Sequence, residues 1–461
     1  MKTCSTFRKL SETRSTWIGI LERRRAQRPI ACPIGEDLSR LNLQDLRRIT
    51  YHTIRLKINW GQSRPRIMGA VTALPLDGGE KSMLAVIPGT ELVLLYDSRR
   101  CVLTCHDVRA TVPPAGLSVD HFDLKAHHDE RGKHLMMVIT KSNRLINVIC
   151  VEYGPGKDIT MQKINLNPNV ALPERDSMAI LVQADMAGVF FLGEDLQYIF
   201  LAINIVTNAI AKIPIRLAHP IVSEFVPETF VPCLLLDQDN PGSIQSCHIN
   251  DGILYFITHT PGQGYHVHHC NSDVPPFSNA RGEADVCLVH DVNVSFNPMD
   301  MDEEPAQFEL RYNASLLSAG LCISHTRYPD SWGEWVTTIF QFLPTVSRDD
   351  GVSQLRFASE SSIKRKSIRG DVRSVGTAFS CMALLSVVTS DSDSETPHYY
   401  SESHMQLHLV QFSNNPDAIT VHCLDVPSFI GLDEVTSILV DDYCGVVFLL
   451  CREFLFALPY A

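Results

Sequence analysis

The feature that most restricts this chain is the recurrence of short apolar runs cut by polar turns. The clearest case lies near the C-terminus. Thr436–Asp441, Val446–Cys451 and Phe454–Leu458 are rich in Val, Ile, Leu and Phe, and are separated by Asp442–Gly445 and by Arg452-Glu453. Each run is too short for a globular helix of ordinary length, and the turns fall where hairpin connections belong. The segment predicts an antiparallel meander. Its near-continuous apolar runs also predict strands covered on both faces, as when small sheets stack on neighbours.

The same unit recurs upstream. Met83–Ile87, Leu92–Tyr96 and Cys101–Cys105 give one meander, Leu135–Ile139 with Leu145–Val151 a second, and Ala179–Val182, Gly188–Leu192 and Leu196–Val206 a third. The spacing, roughly 45–60 residues, is close to that of a propeller blade with long loops. Cys233–Leu236, Gly252–Ile257, Tyr265–His268, Val286–Val292, Leu316–His325, Glu334–Phe342, Gly376–Thr389 and Met405–Phe412 continue the pattern. That is material for six or seven blades. No residue signature is shared between copies. The four Trp, at 17, 60, 332 and 335, leave no room for a Trp-Asp dipeptide in each blade. The predicted fold class is mainly β: a divergent β-propeller-like domain over 63–461, preceded by a small α-helical segment over 1–62.

Charge supports that division. The formal net charge is −12, but residues 1–66 hold 15 Lys+Arg and 5 Asp+Glu, a net of +10, and the remainder holds 25 and 47, a net of −22. Such asymmetry marks two modules. The basic segment is read as docking on an acidic protein surface, its own propeller included, in preference to nucleic acid. With 45% hydrophobic and 20% charged residues the composition is that of an ordinary globular chain. No apolar run approaches the ~18–20 residues that span a bilayer. Met1–Arg8 lacks the apolar core of a signal peptide, and the 14 Cys have no framework spacing. Reduced, buried thiols in the cytoplasm or nucleus are the expectation, with the sequons at Asn293 and Asn313 free of sugar.

Two helical stretches precede the strands. In Cys4–Glu22, Phe7, Leu10, Trp17, Ile18 and Leu21 recur at helical spacing, with a break expected between Ser11 and Ser15. Further on, Asn42 with Asp45 resembles a capping box. It opens a helix whose apolar stripe reads Leu46, Ile49, Thr50, Thr53, Ile54 and Ile58, with Arg47, Arg48, Arg55 and Lys57 opposite. A lone helix as short as the first is marginal in water. Trp17 is therefore expected to be buried against Leu43–Ile58 or the first strands.

Cys4-Ser-Thr-Phe7-Arg-Lys-Leu10, followed by Ser15-Thr-Trp17-Ile18-Gly-Ile20-Leu21, resembles the second half of an F-box. In particular it is similar to the large fungal (basidiomycete-type) families that join an F-box to a β-propeller-like region. The Leu-rich helix ending in Asn59-Trp60 just before the first strand extends the likeness. The resemblance implies a substrate receptor of a cullin-based (SCF-type) ubiquitin ligase. Its helices would dock on the small adaptor subunit through Phe7, Leu10, Trp17 and Leu21, and its propeller would hold a client protein. The Leu-Pro-x-Glu start of the motif and the helix after it are absent from this sequence. An incomplete F-box of this kind is expected to hold the adaptor weakly.

No constellation of residues in the sequence announces bond chemistry. His266 and His268 would share one face of a strand, and a metal would need a third ligand that no spacing announces. A strand edge and turn is the plainer reading, and the same holds for His127-His128-Asp129-Glu130. No Gly-rich phosphate loop or nucleophile elbow is present, and Asp349-Asp350 and Asp441-Asp442 read as turn carboxylates bonding to nearby backbone. Neither a catalytic site nor a cofactor is expected. An interaction scaffold without a ligase role is the alternative, and a propeller hydrolase the third reading.

Overall fold

The computed structural model describes residues 5–461 apart from connecting segments. The longest of these are 167–177, 218–242, 271–286, 297–306, 309–320 and 390–402; over 122–130 and in most strands between 243 and 370 the description is of the backbone alone. Three helices come first: α1 (Ser5–Glu12), α2 (Arg14–Arg25) and α3 (Leu43–Trp60). The break between α1 and α2 falls at Thr13, whose hydroxyl donates to the Lys9 carbonyl at 2.9 Å. The side-chain oxygen of Asn42 accepts from the Asp45 amide at 2.9 Å, which caps α3 as its sequence suggests.

Among the described residues the strands form five four-stranded sheets, one eight-stranded sheet that divides into two four-stranded halves, and a two-stranded ribbon of Thr345–Asp349 with Val352–Arg356; the halves counted separately give seven four-stranded units. The closing sheet runs Thr72–Pro75, Phe454–Pro459, Val446–Leu450, Ser437–Asp441, so the first strand of the chain pairs with the last. The second sheet holds Lys81–Ile87, Leu92–Asp97, Val102–Asp107 and Ala115–Ser118, and the third spans Phe122–Glu130 to Thr160–Leu166. The fourth (Met178–Gln183 to Ile210–Leu217) and fifth (Ser243–Asn250 to Cys287–Phe296) are joined by a short parallel pairing of Ile215–Leu217 with Cys287–Val289. The sixth centres on Leu321–Arg327 and Val336–Phe342, and the seventh runs from Asp371–Thr377 to Thr420–Cys423.

Successive sheets stack face to face, which explains the unbroken apolar runs. In Leu92–Asp97 every residue is buried. Leu92, Leu94 and Tyr96 join Met136, Val138, Ile149 and Val151 of the third sheet, while Val93 and Leu95 join Val446, Phe448 and Leu450 of the closing sheet. The third sheet turns Leu135, Met137 and Ile139 toward Val189, Phe191 and Leu201 of the fourth. The seventh turns Ala383, Leu385, Leu407 and Leu409 toward Val447, Leu449 and Leu458. Period-2 alternation between two dry faces is the signature of an interior sheet. Ser437–Asp441 lies against both Lys81–Ile87 and Asp371–Thr377, so the closing sheet links the two ends of the series. The fold is mainly β and propeller-like.

Three sequence expectations need correction. The fourth strand of each unit was not legible, because outer strands such as Thr160–Leu166 alternate between half-buried and exposed positions. His127–Glu130, expected in a turn, ends the strand Phe122–Glu130. The α3 stripe is rotated: Leu46, Ile49, Thr50, Leu56, Asn59 and Trp60 are buried, whereas Ile54 and Ile58 are exposed. The rotation follows from the helix packing against α2 at one end and against the sheets at the other. Cys233–Leu236 lies outside the described residues.

Gly89, at φ +78°, turns the chain between the first two strands of the second sheet, and a Cβ there would stand 2.6 Å from the Cys32 carbonyl oxygen. Gly89→Ala is expected to lower stability by about 1–3 kcal/mol through the left-handed backbone and the collision. Gly19→Ala, inside α2 with nothing within 4 Å of a new Cβ, should instead gain up to about 1 kcal/mol of helix propensity. Urea unfolding of both variants checks this.

Candidate interaction surfaces

The N-terminal helices have a core of their own. Trp17 and Leu21 of α2 pack with Ile30, Cys32, Leu38, Leu46 and Ile49. The indole Nε1 of Trp17 donates to the Ser11 carbonyl at 2.8 Å, where α1 ends. Its ring meets Tyr51 at 5.8 Å and lies under the Arg47 guanidinium at 5.9 Å. Arg47 also donates to the Ser11 carbonyl, and Arg25 donates to the Glu36 carbonyl at 2.9 Å. Several cations of the basic segment thus tie its loops together through main-chain carbonyls.

α3 carries this small core to the sheets. Leu56 and Trp60 enter the hydrophobic cluster between the seventh and closing sheets, burials worth roughly 1.5–3 kcal/mol each. Gly445 is the point of closest approach, since a Cβ there would collide with Leu56 Cδ1. Around that contact His52 Nε2 donates to the Cys444 carbonyl at 2.9 Å, and Gln411 Nε2 donates to the Trp60 carbonyl at 3.0 Å. Asn59 donates to the carbonyls of Arg66 and Tyr460, both at 2.6 Å, while its oxygen accepts from the Arg66 amide at 3.0 Å. A buried amide so satisfied fixes the helix end, as an unpaired one would cost about 1–3 kcal/mol.

Asp441 and Asp442 hold the neighbouring sheets at the same end. Asp441 accepts from Gly89 N at 3.0 and 3.1 Å, from Tyr443 N at 3.0 Å and from Cys444 N at 3.3 Å. Asp442 accepts from the Ser380 hydroxyl at 2.8 Å. The carboxylates bond to backbone as a turn reading requires, but two of their partners belong to the second and seventh sheets. Burial is the main reason the Asp441 carboxyl is pushed up to about 7, with the Asp442 charge adding to it and the amide donors opposing it.

The four residues assigned to adaptor binding separate. Trp17 (9% exposed) and Leu21 are interior to the helical core, Leu10 is 46% exposed on α1, and for Phe7 only the backbone is described. The sequence placed Ile54 and Ile58 in the apolar stripe of α3 and did not single out Tyr51. At 100° per residue they fall within about 60° of one another on α3, and all three are exposed, Ile58 by 63%. Arg55 and Lys57 stand among them in sequence. His266 and His268 sit in the strand Gly264–Cys270, where the register sets Asp291 opposite His268 and His290 opposite His269. Among the residues whose side chains are described, no group of three or more His, Cys, Asp or Glu could hold a metal, and no described helix is long and apolar enough to cross a membrane.

No family model and no curated protein sequence matches the chain. Similar solved structures include Drosophila Semaphorin 1b, extracellular domains 1–2, at 7% identity and TM-score 0.38, covering 86% of this chain and 88% of that one. The WD40 domain of SCAP from fission yeast aligns at 8% identity and TM-score 0.37, covering 85% and 98%. Drosophila Semaphorin 2a aligns at 7% and 0.42, covering 86% and 76%. Values this low carry no functional conclusion.

Two measurements check the site chemistry. Trp17→Ala should cost about 3–5 kcal/mol, as for an interior aromatic, and Leu10→Ala no more than about 0.5; equal effects would place both on the same kind of surface. For Asp441 the folded carboxyl titrates above its unfolded value of about 3.9. Its contribution to stability is therefore fully present below that value and is lost as pH rises through about 7. Urea melts from pH 5 to 8 should show the stability difference between wild type and Asp441→Asn shrinking as pH rises.

Proposed function

We propose that the chain is a substrate-recognition adaptor of a cullin-based ubiquitin ligase, binding the ligase through its helices and a client protein through its sheets. The observation that supports this best is the exposed stripe Tyr51–Ile54–Ile58, with Leu10, on helices whose own core is already filled by Trp17 and Leu21. Apolar side chains left outside a completed core, on a segment rigidly seated on a larger fold, suit a docking face. The F-box-like residues between Phe7 and Leu21 supply the class of partner, the ligase's small adaptor subunit. Trp17 and Leu21 then shape the helices that present the contact, and Leu10 and the α3 stripe make it. No bond chemistry is assigned to the chain, and its working compartment is intracellular.

Co-expression with the small adaptor subunit and cullin, followed by affinity purification, tests the reading. Weak recovery of the adaptor is expected, and Leu10→Glu or Ile58→Glu should abolish it without lowering the melting temperature. Absence of recovery from the well-folded chain would favour the interaction scaffold without a ligase role.

A further inference from the structure

A second apolar patch lies at the other end of the closing sheet from α3. The strands Val446–Leu450 and Phe454–Pro459 begin and end at the Asp441–Gly445 turn, where Leu56 and His52 sit. They meet at the Cys451–Phe454 hairpin, five residues away, or roughly 16 Å at strand rise. There Phe454 and Phe456 are 5.7 Å apart and Phe429 is 6.3 Å from Phe456. Phe456 is buried and forms the floor. Phe429 is 69% exposed and Phe454 38%. Pro75, also exposed, stands opposite Phe454 in the register and continues the patch onto the edge strand. Exposure on this scale is unusual for phenylalanine in a structure whose strands otherwise bury their large side chains.

The rim is acidic. Glu453 belongs to the hairpin itself, and the Leu432–Glu434 turn lies beside it, where Thr436 N donates to the Leu450 carbonyl at 2.8 Å; the Cys451 thiol there is pushed up mainly by burial, with the charges of Glu434 and Asp433 adding to it. All three are exposed, as is Arg452. Three carboxylates around exposed rings select one kind of side chain. A lysine or arginine lays an apolar stem on an aromatic face while its charged head reaches a carboxylate, and its cation is attracted to the ring.

We propose that Phe429, Phe454 and Phe456, with Asp433, Glu434 and Glu453, form a docking site for a Lys/Arg-bearing segment of a partner protein. In the adaptor reading, on which this rests only for the partner's role, that partner is the client. Its place, across the closing sheet from the helices, lets ligase and client be held at once. The net −22 of residues 67–461 adds a long-range attraction for such a segment.

The test uses the full chain and fluorescein-labelled peptides of equal length, alternating Leu with Arg, Gln or Glu, read by anisotropy at 0.15 M salt. The Arg peptide is expected to bind and the Gln and Glu peptides not. The pair Phe429→Ala/Phe454→Ala, and separately Asp433→Lys/Glu434→Lys, should each weaken it at least tenfold with unchanged melting temperature. Ile58→Glu, at the far end, should leave it unchanged. Equal affinity of wild type and both patch variants would overturn the site, assigning the binding to diffuse charge, and so would failure of the Arg peptide to bind. Concentration-dependent self-association abolished by the patch variants would also overturn it, making a second copy's basic helices the occupant. Adaptor recovery with the patch variants is measured in parallel. Its loss from wild type alongside intact peptide binding would sink the ligase reading and leave this site standing.

Discussion

The pairing of Thr72–Pro75 with Phe454–Pro459 is the contact on which the rest depends. It joins residues almost four hundred positions apart, and with them the two ends of the sheet series. Such a contact gains nothing until the intervening chain is ordered, because the entropy of closing the loop comes before any return. The compensation is local and dense. Leu455, Leu458 and Tyr460 are fully buried beside the new strand, and Met68 N donates to the Pro459 carbonyl at 2.9 Å where the chain enters it. α3 then lies across the seam, with Asn59 bonded to both Arg66 and Tyr460, so helices and ring closure stabilise each other.

This arrangement gives the molecule two ends with opposite character. At the Asp441–Gly445 end the polar groups are used up internally: carboxylates take amides of neighbouring sheets, and α3 fills the space left by Gly445. At the Cys451–Phe454 end aromatic rings and carboxylates are left outside. Cations dominate the helical side and acids the sheets, and Arg14, Arg25 and Arg47 bond to carbonyls within their own module. A chain built in this way is suited to holding two different surfaces at a fixed separation.

Much of the sheet architecture was legible because its cause is local. A run such as Leu92–Tyr96, apolar at every position and bounded by turns, fits only an interior strand, and the structure places it between two other sheets. The outer strands were not legible, since Thr160–Leu166 alternates like an exposed surface. The pairing of Thr72–Pro75 with the last strand leaves no trace in spacing. The helical candidates show a similar limit. A stripe drawn from apolar residues alone put Leu46, Ile54 and Ile58 on one face. The burial of Leu56, Asn59 and Trp60 is decided by Gly445, Tyr460 and Gln411, which lie far away in sequence. Phe454 illustrates the opposite case: the run Phe454–Leu458 reads as an interior strand, and only folding leaves its first ring in solvent.

The central claim is that α3, the first strand and the last sheet form one cooperative unit. Native-state hydrogen exchange tests it most directly. The amides of Leu74, Leu455, Phe456 and Asn59 should exchange with the same opening free energy as Leu94 in the second sheet, and all should rise together through the global unfolding transition. Exchange of Leu74 and Asn59 through a separate low-energy opening, with Leu455 and Phe456 still protected, would contradict it: the helices and first strand would then be an appendage.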